Sequence, residues 1–178
     1  MKFSDIPQYT QRANYSVHIP WRSLLDTIER WRNREKPPLS LNPDYQRAHV
    51  WTKRQQISYL EYILKGGNTG KDVLFNCPGW MTDWDGPFEL VDGKQRINSV
   101  ALFLKGKLPV FETYYDDFED DILDIGCHFV FHVNNLPTRE QVLRWYLEIN
   151  TTGTPHSAAE IAKVEKLLEM EVNRKKRS

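Results

Sequence analysis

Three short polar stretches carry side chains that the folding pattern of the chain does not require. They are Tyr45-Gln46-Arg47 with Trp51, Asp92-Gly93-Lys94-Gln95-Arg96, and Asn150 to Thr154. The central one is flanked by regular structure. Pro87 to Val91 alternates as a strand, and Ile97, Val100, Ala101, Phe103 and Leu104 recur at helical spacing. The pattern predicts a strand, a tight turn at Gly93, and a helix with Lys94 and Arg96 in its first turn. Free backbone N–H groups at such a helix start attract anions, phosphate above all. The macrodipole disfavours cations at that end of a helix. An ordinary capped helix is the competing reading, with Asp92 as N-cap and Gln95 three residues on in a capping-box-like pair.

The two outer stretches admit matching chemistry. Arg47 and Arg96 suit bidentate phosphate contacts. Gly153, like Gly93, allows close backbone approach, and Thr151, Thr152 and Thr154 place hydroxyls around it. Trp51 or Tyr45 offers a ring on which a base could stack. Taken singly, these are an arginine salt bridge, a capped helix and a helix-to-helix turn. Convergence of the three is the functional expectation.

The elements that must position them follow from periodicity. Tyr15 to Ile19 alternates as an edge strand, and Leu24, Leu25, Ile28 and Trp31 form the apolar stripe of a helix from Trp21 to Arg34. The polar face of that helix carries Arg22, Arg30, Arg32 and Arg34. Thr52 with Gln55 caps a second helix, which Gly66 and Gly67 stop. Val73-Leu74-Phe75 reads as a buried strand, Leu108 to Phe111 as a further edge strand, and Asp116 to Asp124 as a solvated acidic excursion. His128 to Val133 is the clearest strand; its two histidines share one face, too few ligands for a metal. Thr138 with Gln141 caps a helix, and Ser157 with Glu160 caps the last one. Helices alternating with short strands predict an α+β fold, a single domain with a small mixed sheet surrounded by helices.

Composition bounds the function. Six Trp, eight Tyr and eight Phe in 178 residues mark a folded chain, and no apolar run is long enough to span a membrane. The N-terminus lacks the apolar core of a secretory signal. Cys77 and Cys127 lack metal-ligand spacing, so a cytoplasmic protein with free thiols is expected. Lys plus Arg balances Asp plus Glu at 24 each, which argues against a strongly basic nucleic-acid binder. The balance is uneven, because residues 1–60 are net basic and residues 61–130 net acidic.

The order Tyr45-Gln46-Arg47-x-x-x-Trp51, then Val91-Asp92-Gly93-Lys94-Gln95-Arg96, then Asn150-x-x-Gly153-Thr154 resembles the N-terminal domain of GmrSD-type modification-dependent restriction proteins. That domain belongs to the ParB/sulfiredoxin-like superfamily. Its Asp-Gly-Gln-Gln-Arg signature is matched by Asp92, Gly93, Gln95 and Arg96, with Lys94 in the third place. The resemblance runs from about Val17 to Leu168. It divides the chain into an N-terminal arm (1–16), the ParB-like domain (17–172) and a basic tail (173–178).

What the resemblance implies is nucleoside triphosphate binding and hydrolysis, or phosphoryl transfer, in DNA-related chemistry such as restriction, counter-defence or DNA modification. Gly93, Lys94, Gln95 and Arg96 would hold phosphate, and Arg47 would add a second positive arm. Asn150, Gly153 and Thr154 would close the far wall, with Tyr45, Gln46 and Trp51 toward a base or DNA. Asp92 would hold Mg²⁺ or orient water, and Asp92 or Glu148 would serve as general base. The 178 residues contain no His-Asn-His nuclease motif, so a partner nuclease or modification enzyme is expected to act on DNA. Three rival functions stand beside this one: a non-enzymatic module that senses modified DNA through the 22–34 arginines, a ParB-like nuclease, and an interaction subunit.

Overall fold

The computed structural model describes residues 1–6, 15–48, 50–80, 82–84, 86–151 and 158–175. The predicted elements appear in order, with a short strand at Leu39–Ser40 that the sequence did not announce and without the expected strand at Leu108 to Phe111. The elements are β1 (Tyr15–Pro20), α1 (Leu24–Arg32), β2 (Leu39–Ser40), α2 (Lys53–Leu64), β3 (Asp72–Asn76), β4 (Phe88–Asp92), α3 (Lys94–Leu104), β5 (His128–Asn134), α4 (Arg139–Thr151) and α5 (Ala158–Lys175). The five strands form one mixed sheet in the order β1-β5-β3-β4-β2. β5 runs antiparallel to β1 and parallel to β3, β3 is antiparallel to β4, and the two-residue β2 is parallel to β4. This is the expected α+β architecture.

Alternation along the strands sorts the side chains onto two faces. Val73, Phe75, Phe129, Phe131 and Val133 join the main core with Leu24 and Ile28 of α1, Leu60 and Ile63 of α2, and Val100 and Phe103 of α3. Trp31 of α1 sits among Phe75, Phe88 and Phe131 at ring separations of 5.4, 5.0 and 5.5 Å. A second cluster gathers Tyr45, Val91, Leu136 and Tyr146 with Val142, Leu143 and Val164, and Leu74 packs against it. Val91 reaches it through an irregularity in β4. The register steps from Leu74 opposite Asp92 to Phe75 opposite Leu90, which leaves Val91 as the extra residue of a β-bulge. Bulges re-aim side chains, and this one lies one residue before Asp92.

Two capping boxes form as the sequence predicts. Thr52 Oγ1 accepts from the Gln55 N–H at 3.3 Å while Gln55 Oε1 accepts from the Thr52 N–H at 2.8 Å. Thr138 and Gln141 repeat the pattern. At α3 the competing reading, with Asp92 as N-cap, is the one overturned. The N-cap is Gly93, with φ +101°, and no side chain caps the helix. The bulged strand carries Asp92 one residue too early to serve as cap. Leu108 to Phe111 is not an edge strand either, because Val110 makes only an isolated bridge to Thr113 while Leu108 and Val110 fill the core.

The second cluster is locked to the loop after β2 by charge. Arg139 Nη2 donates to both Asp44 carboxylate oxygens at 2.6 Å, and Lys163 Nζ donates to the Asp44 carbonyl. Beneath them, Tyr45 OH donates to Glu89 Oε2 at 3.2 Å. Burial pushes the Glu89 carboxyl above the usual carboxylate range, against the opposing pull of Tyr45 and Arg139. A group whose folded pKa is raised contributes stability below its unfolded pKa and loses it as pH rises through the folded value. Glu89→Gln keeps an acceptor for Tyr45 and removes the buried charge. The variant should therefore melt above wild type at neutral pH, with the advantage vanishing in acid below the ordinary carboxyl range. Parallel thermal melts across pH check this, and an advantage that persists in acid would contradict the burial argument.

Candidate functional site

Where β4 ends and α3 begins, a cleft of about 260 Å³ opens between the loop after β2, the Gly93 turn and the end of α4. Its walls carry Gln46, Arg47 and Trp51 from the first polar stretch, Asp92 to Arg96 from the second, and Asn150 with Tyr146 and Ile149 from α4. The first two stretches and Asn150 of the third converge. Gly153 and Thr154, with Thr152, lie outside the described residues.

Each wall is held by hydrogen bonds the sequence does not announce. Gln46 Nε2 donates to the carbonyls of Leu90 and Val91, at 3.0 and 2.7 Å, and so clamps the β-bulge. Gln95 is buried and clamps the loop from the other side. Its Nε2 donates to the Ala48 carbonyl at 3.1 Å, and its Oε1 accepts from the N–H groups of Val50 and Trp51 at 3.1 and 3.3 Å. Lys94 Nζ donates to the Arg47 carbonyl at 2.7 Å, and desolvation lowers its pKa. These two residues of the signature therefore build the cleft, and the loop carrying Arg47 rests on them.

Arg96 is oriented on two sides. Its Nη2 donates to the Asp92 carboxylate at 2.6 Å and to the Asp72 carbonyl at 2.9 Å. The second Asp92 carboxylate oxygen makes no hydrogen bond among the described residues. Arg47 lines the cleft with no hydrogen bond or ion pair to its guanidinium among the described residues, so its charge is available to a ligand. Asn150 Nδ2 donates to the Tyr146 carbonyl at 2.7 Å, which turns the amide along α4. Trp51 lies against Tyr59, with ring centroids 5.4 Å apart and planes tilted by 58°, and lines the cleft.

Three sequence expectations fare differently. Tyr45 is only 2% exposed, with its ring 5.1 Å from that of Tyr146, so it has no open face for a base and belongs to the core. Glu148 is exposed on α4 and is not among the cleft residues, because it sits two positions from Tyr146 and so faces away. That leaves Asp92 as the one carboxylate lining the cleft among the described residues. The described residues hold no group of three or more His, Cys, Asp or Glu able to bind a metal. His132 is instead bonded at Nε2 to Asp72 (2.7 Å) and at Nδ1 to Ser16 (2.8 Å) across the sheet.

The sequence reading missed the cleft role of Tyr146. Burial pushes its phenol up to about 12, against the lowering effect of Arg47, so it remains a neutral hydroxyl throughout the ordinary pH range. Its place on the apolar stripe of α4 gave it the pattern of the core residue it is, and nothing in that pattern shows that it also lines the cleft.

A mixed sheet backed by helices, with a β-bulge feeding a left-handed glycine and a guanidinium-lined cleft at the next helix start, defines an α+β domain. Residues 28–126 match the family described as GmrSD restriction endonuclease, N-terminal domain, and the chain belongs to that family. No curated protein and no solved structure matches the chain significantly. No helix among the described residues is long and apolar enough to cross a membrane.

Proposed function

We propose that the cleft binds the phosphate end of a nucleoside triphosphate and that the chain acts as an NTP hydrolase or phosphotransferase in a DNA-restriction setting. The observation that carries this reading is the unpartnered Arg47 guanidinium facing a helix start that no side chain caps. Phosphate oxygens answer both at once, since first-turn N–H groups lack intrahelical acceptors and arginine matches phosphate geometry. Arg96 adds a second reason, because its buried Nε has no acceptor among the described residues. A cleft of about 260 Å³ suits the phosphates and leaves sugar and base toward Trp51.

Mg²⁺ fits the donor set in one way only. Asp92 would supply a single carboxylate oxygen, and the remaining ligands would be phosphate oxygens and water, as Mg²⁺ sites on nucleotides commonly are. Bound there, the ion would offset phosphate charge. The chain's own residues do the rest. Arg47 and the α3 N-terminus bind and orient the phosphates, and Arg96 holds Asp92 in one rotamer, leaving its second carboxylate oxygen for the ion.

The test is thermal stability with each of the four NTPs and Mg²⁺, for wild type and Arg47→Ala. The matching nucleotide should raise the wild-type melting temperature by several degrees. Arg47→Ala should fold normally and lose most of that shift, because the side chain holds nothing else in place. No shift with any nucleotide would count against the reading, as would an equal shift in the variant.

DNA contact has a separate basis. Arg22, Arg30 and Arg32 are exposed on or beside α1, whereas Arg34 lies 3.5 Å over the Trp84 ring. If that face meets DNA, Arg30→Ala with Arg32→Ala should weaken binding and flatten its salt dependence. The triphosphate response would be untouched.

A further inference from the structure

We propose that a groove at the far end of α3 is a docking site for a basic, amphipathic segment of a protein partner. The groove has a volume of about 460 Å³ and lies between α2, α3 and the segment that joins α3 to β5. Its floor is formed by Leu64 at the end of α2 and by Phe103, which is buried. Tyr115 and Phe118 meet the Phe103 ring edge-on at 5.3 and 6.3 Å, so the connecting segment is packed down as a wall. Above the floor, Phe111, Phe118 and Ile125 are 45%, 39% and 54% exposed. A contiguous apolar surface of this kind marks an interaction site more often than three scattered side chains would.

The backbone is strained where it presents Phe111. Phe111 and Glu112 have φ of 48° and 65°, a left-handed conformation that non-glycine residues seldom adopt. Two reciprocal hydrogen bonds of 2.9 Å between Val110 and Thr113 hold the turn, and the Phe111 N–H donates to Glu61 Oε1 at 3.0 Å. Strain maintained by such contacts, with an aromatic ring held outward as its result, points to a use for that ring.

Charge identifies the occupant. The rim carries Asp116, Glu119, Asp120 and Asp121, all exposed, and no cation among its described lining residues, while the Nζ of neighbouring Lys65 lies 5.1 Å over the Phe111 ring. Such a rim repels nucleic acid and anionic lipid and attracts lysine and arginine. An apolar floor inside an acidic rim therefore fits a segment with bulky apolar anchors flanked by basic residues, the helix-in-groove or extended-peptide mode of recognition. The first turn of α3 lines the phosphate cleft and its last turn floors this groove. Eleven residues at about 1.5 Å each separate the two by roughly 15 Å. A partner can dock here with the cleft open.

A random short-peptide library selected on the full chain tests the assignment. Enriched peptides should carry Leu, Ile or aromatic anchors flanked by Lys or Arg. A synthesised representative should lose roughly tenfold or more in affinity to the double variant Phe111→Ser, Phe118→Ser. It should lose as much to Glu119→Lys, Asp120→Lys, whose solvent-facing substitutions leave the fold intact. Arg47→Ala should bind it like wild type. Failure to enrich any peptide would overturn the proposal, as would enrichment of acidic peptides or affinity indifferent to both double variants. Self-association of the chain that disappears in Phe111→Ser, Phe118→Ser would also overturn it, by making a second copy the occupant.

Discussion

Gly93→Ala is expected to lower stability by about 2–5 kcal/mol, the sum of two separable effects. The first is backbone strain, because φ at Gly93 is +101° and a side chain disfavours that region. The second is a collision. A β-carbon at Gly93 would stand 3.0 Å from both Cγ atoms of Val73, which is fully buried in the centre of the sheet. Valine is stiff at χ1 and β3 is flanked on both sides, so the neighbour yields little. For a domain of this size the melting temperature should fall by about 5–15 °C. Gly66→Ala is the control. It has a comparable φ of +88° but open space around the added carbon, so only the strain remains. Chemical denaturation of both variants decides the matter. If Gly93→Ala costs no more than Gly66→Ala, the Val73 contact does not matter. Because Gly93 is also the N-cap of α3, the surviving folded fraction should bind triphosphate weakly.

Gln95→Ala should cost about 2–3 kcal/mol and disable the cleft without touching a charge. The buried amide makes three bonds to the backbone of the 48–51 segment, two of them to N–H groups that then lose their acceptor. The loop carrying Arg47 would lose its anchor, and nucleotide affinity should fall by more than tenfold although Arg47 itself is intact. Gln95→Glu separates the roles. It retains an acceptor for Val50 and Trp51 but sets a carboxylate against the Ala48 carbonyl, so it should be intermediate in stability. Amide hydrogen exchange at Val50 and Trp51 reports the anchor directly. Normal protection there in Gln95→Ala, with full nucleotide response, would defeat the idea that this glutamine builds the site.

The two substitutions bear on how the signature stretch is read. Locally, Asp92 to Arg96 offers either a capping box or a phosphate cradle, and neither describes it fully. Asp92 does not cap, Gln95 reaches across to the loop after β2 in place of its own helix start, and Lys94 spends its charge on the Arg47 carbonyl. Of the cations predicted to hold phosphate, Arg47 is the one left without a hydrogen bond or ion pair among the described residues. In this chain the Asp92 to Arg96 stretch thus largely positions a residue outside it.

What the sequence determined by itself is what repeats at short range. Helical stripes at Leu24 to Trp31 and Val142 to Ile149, alternation at His128 to Val133, and the Thr-x-x-Gln caps are set by neighbours three or four residues apart, and all appear in place. The three polar stretches were legible too, since they interrupt those periods. What only the tertiary structure decided involves pairs far apart in the chain. Gln95 meets Ala48 across 47 residues and Gln46 meets Val91 across 45. The bulge that sends Val91 and Asp92 to different surroundings exists only in the pairing of β3 with β4. Tyr45 and Tyr146 carry the same chemistry and are equally buried in one cluster, yet of the two only Tyr146 also lines the cleft. A polar residue between two elements has no local period to fix its direction, so its role is set by whichever distant surface the fold brings against it.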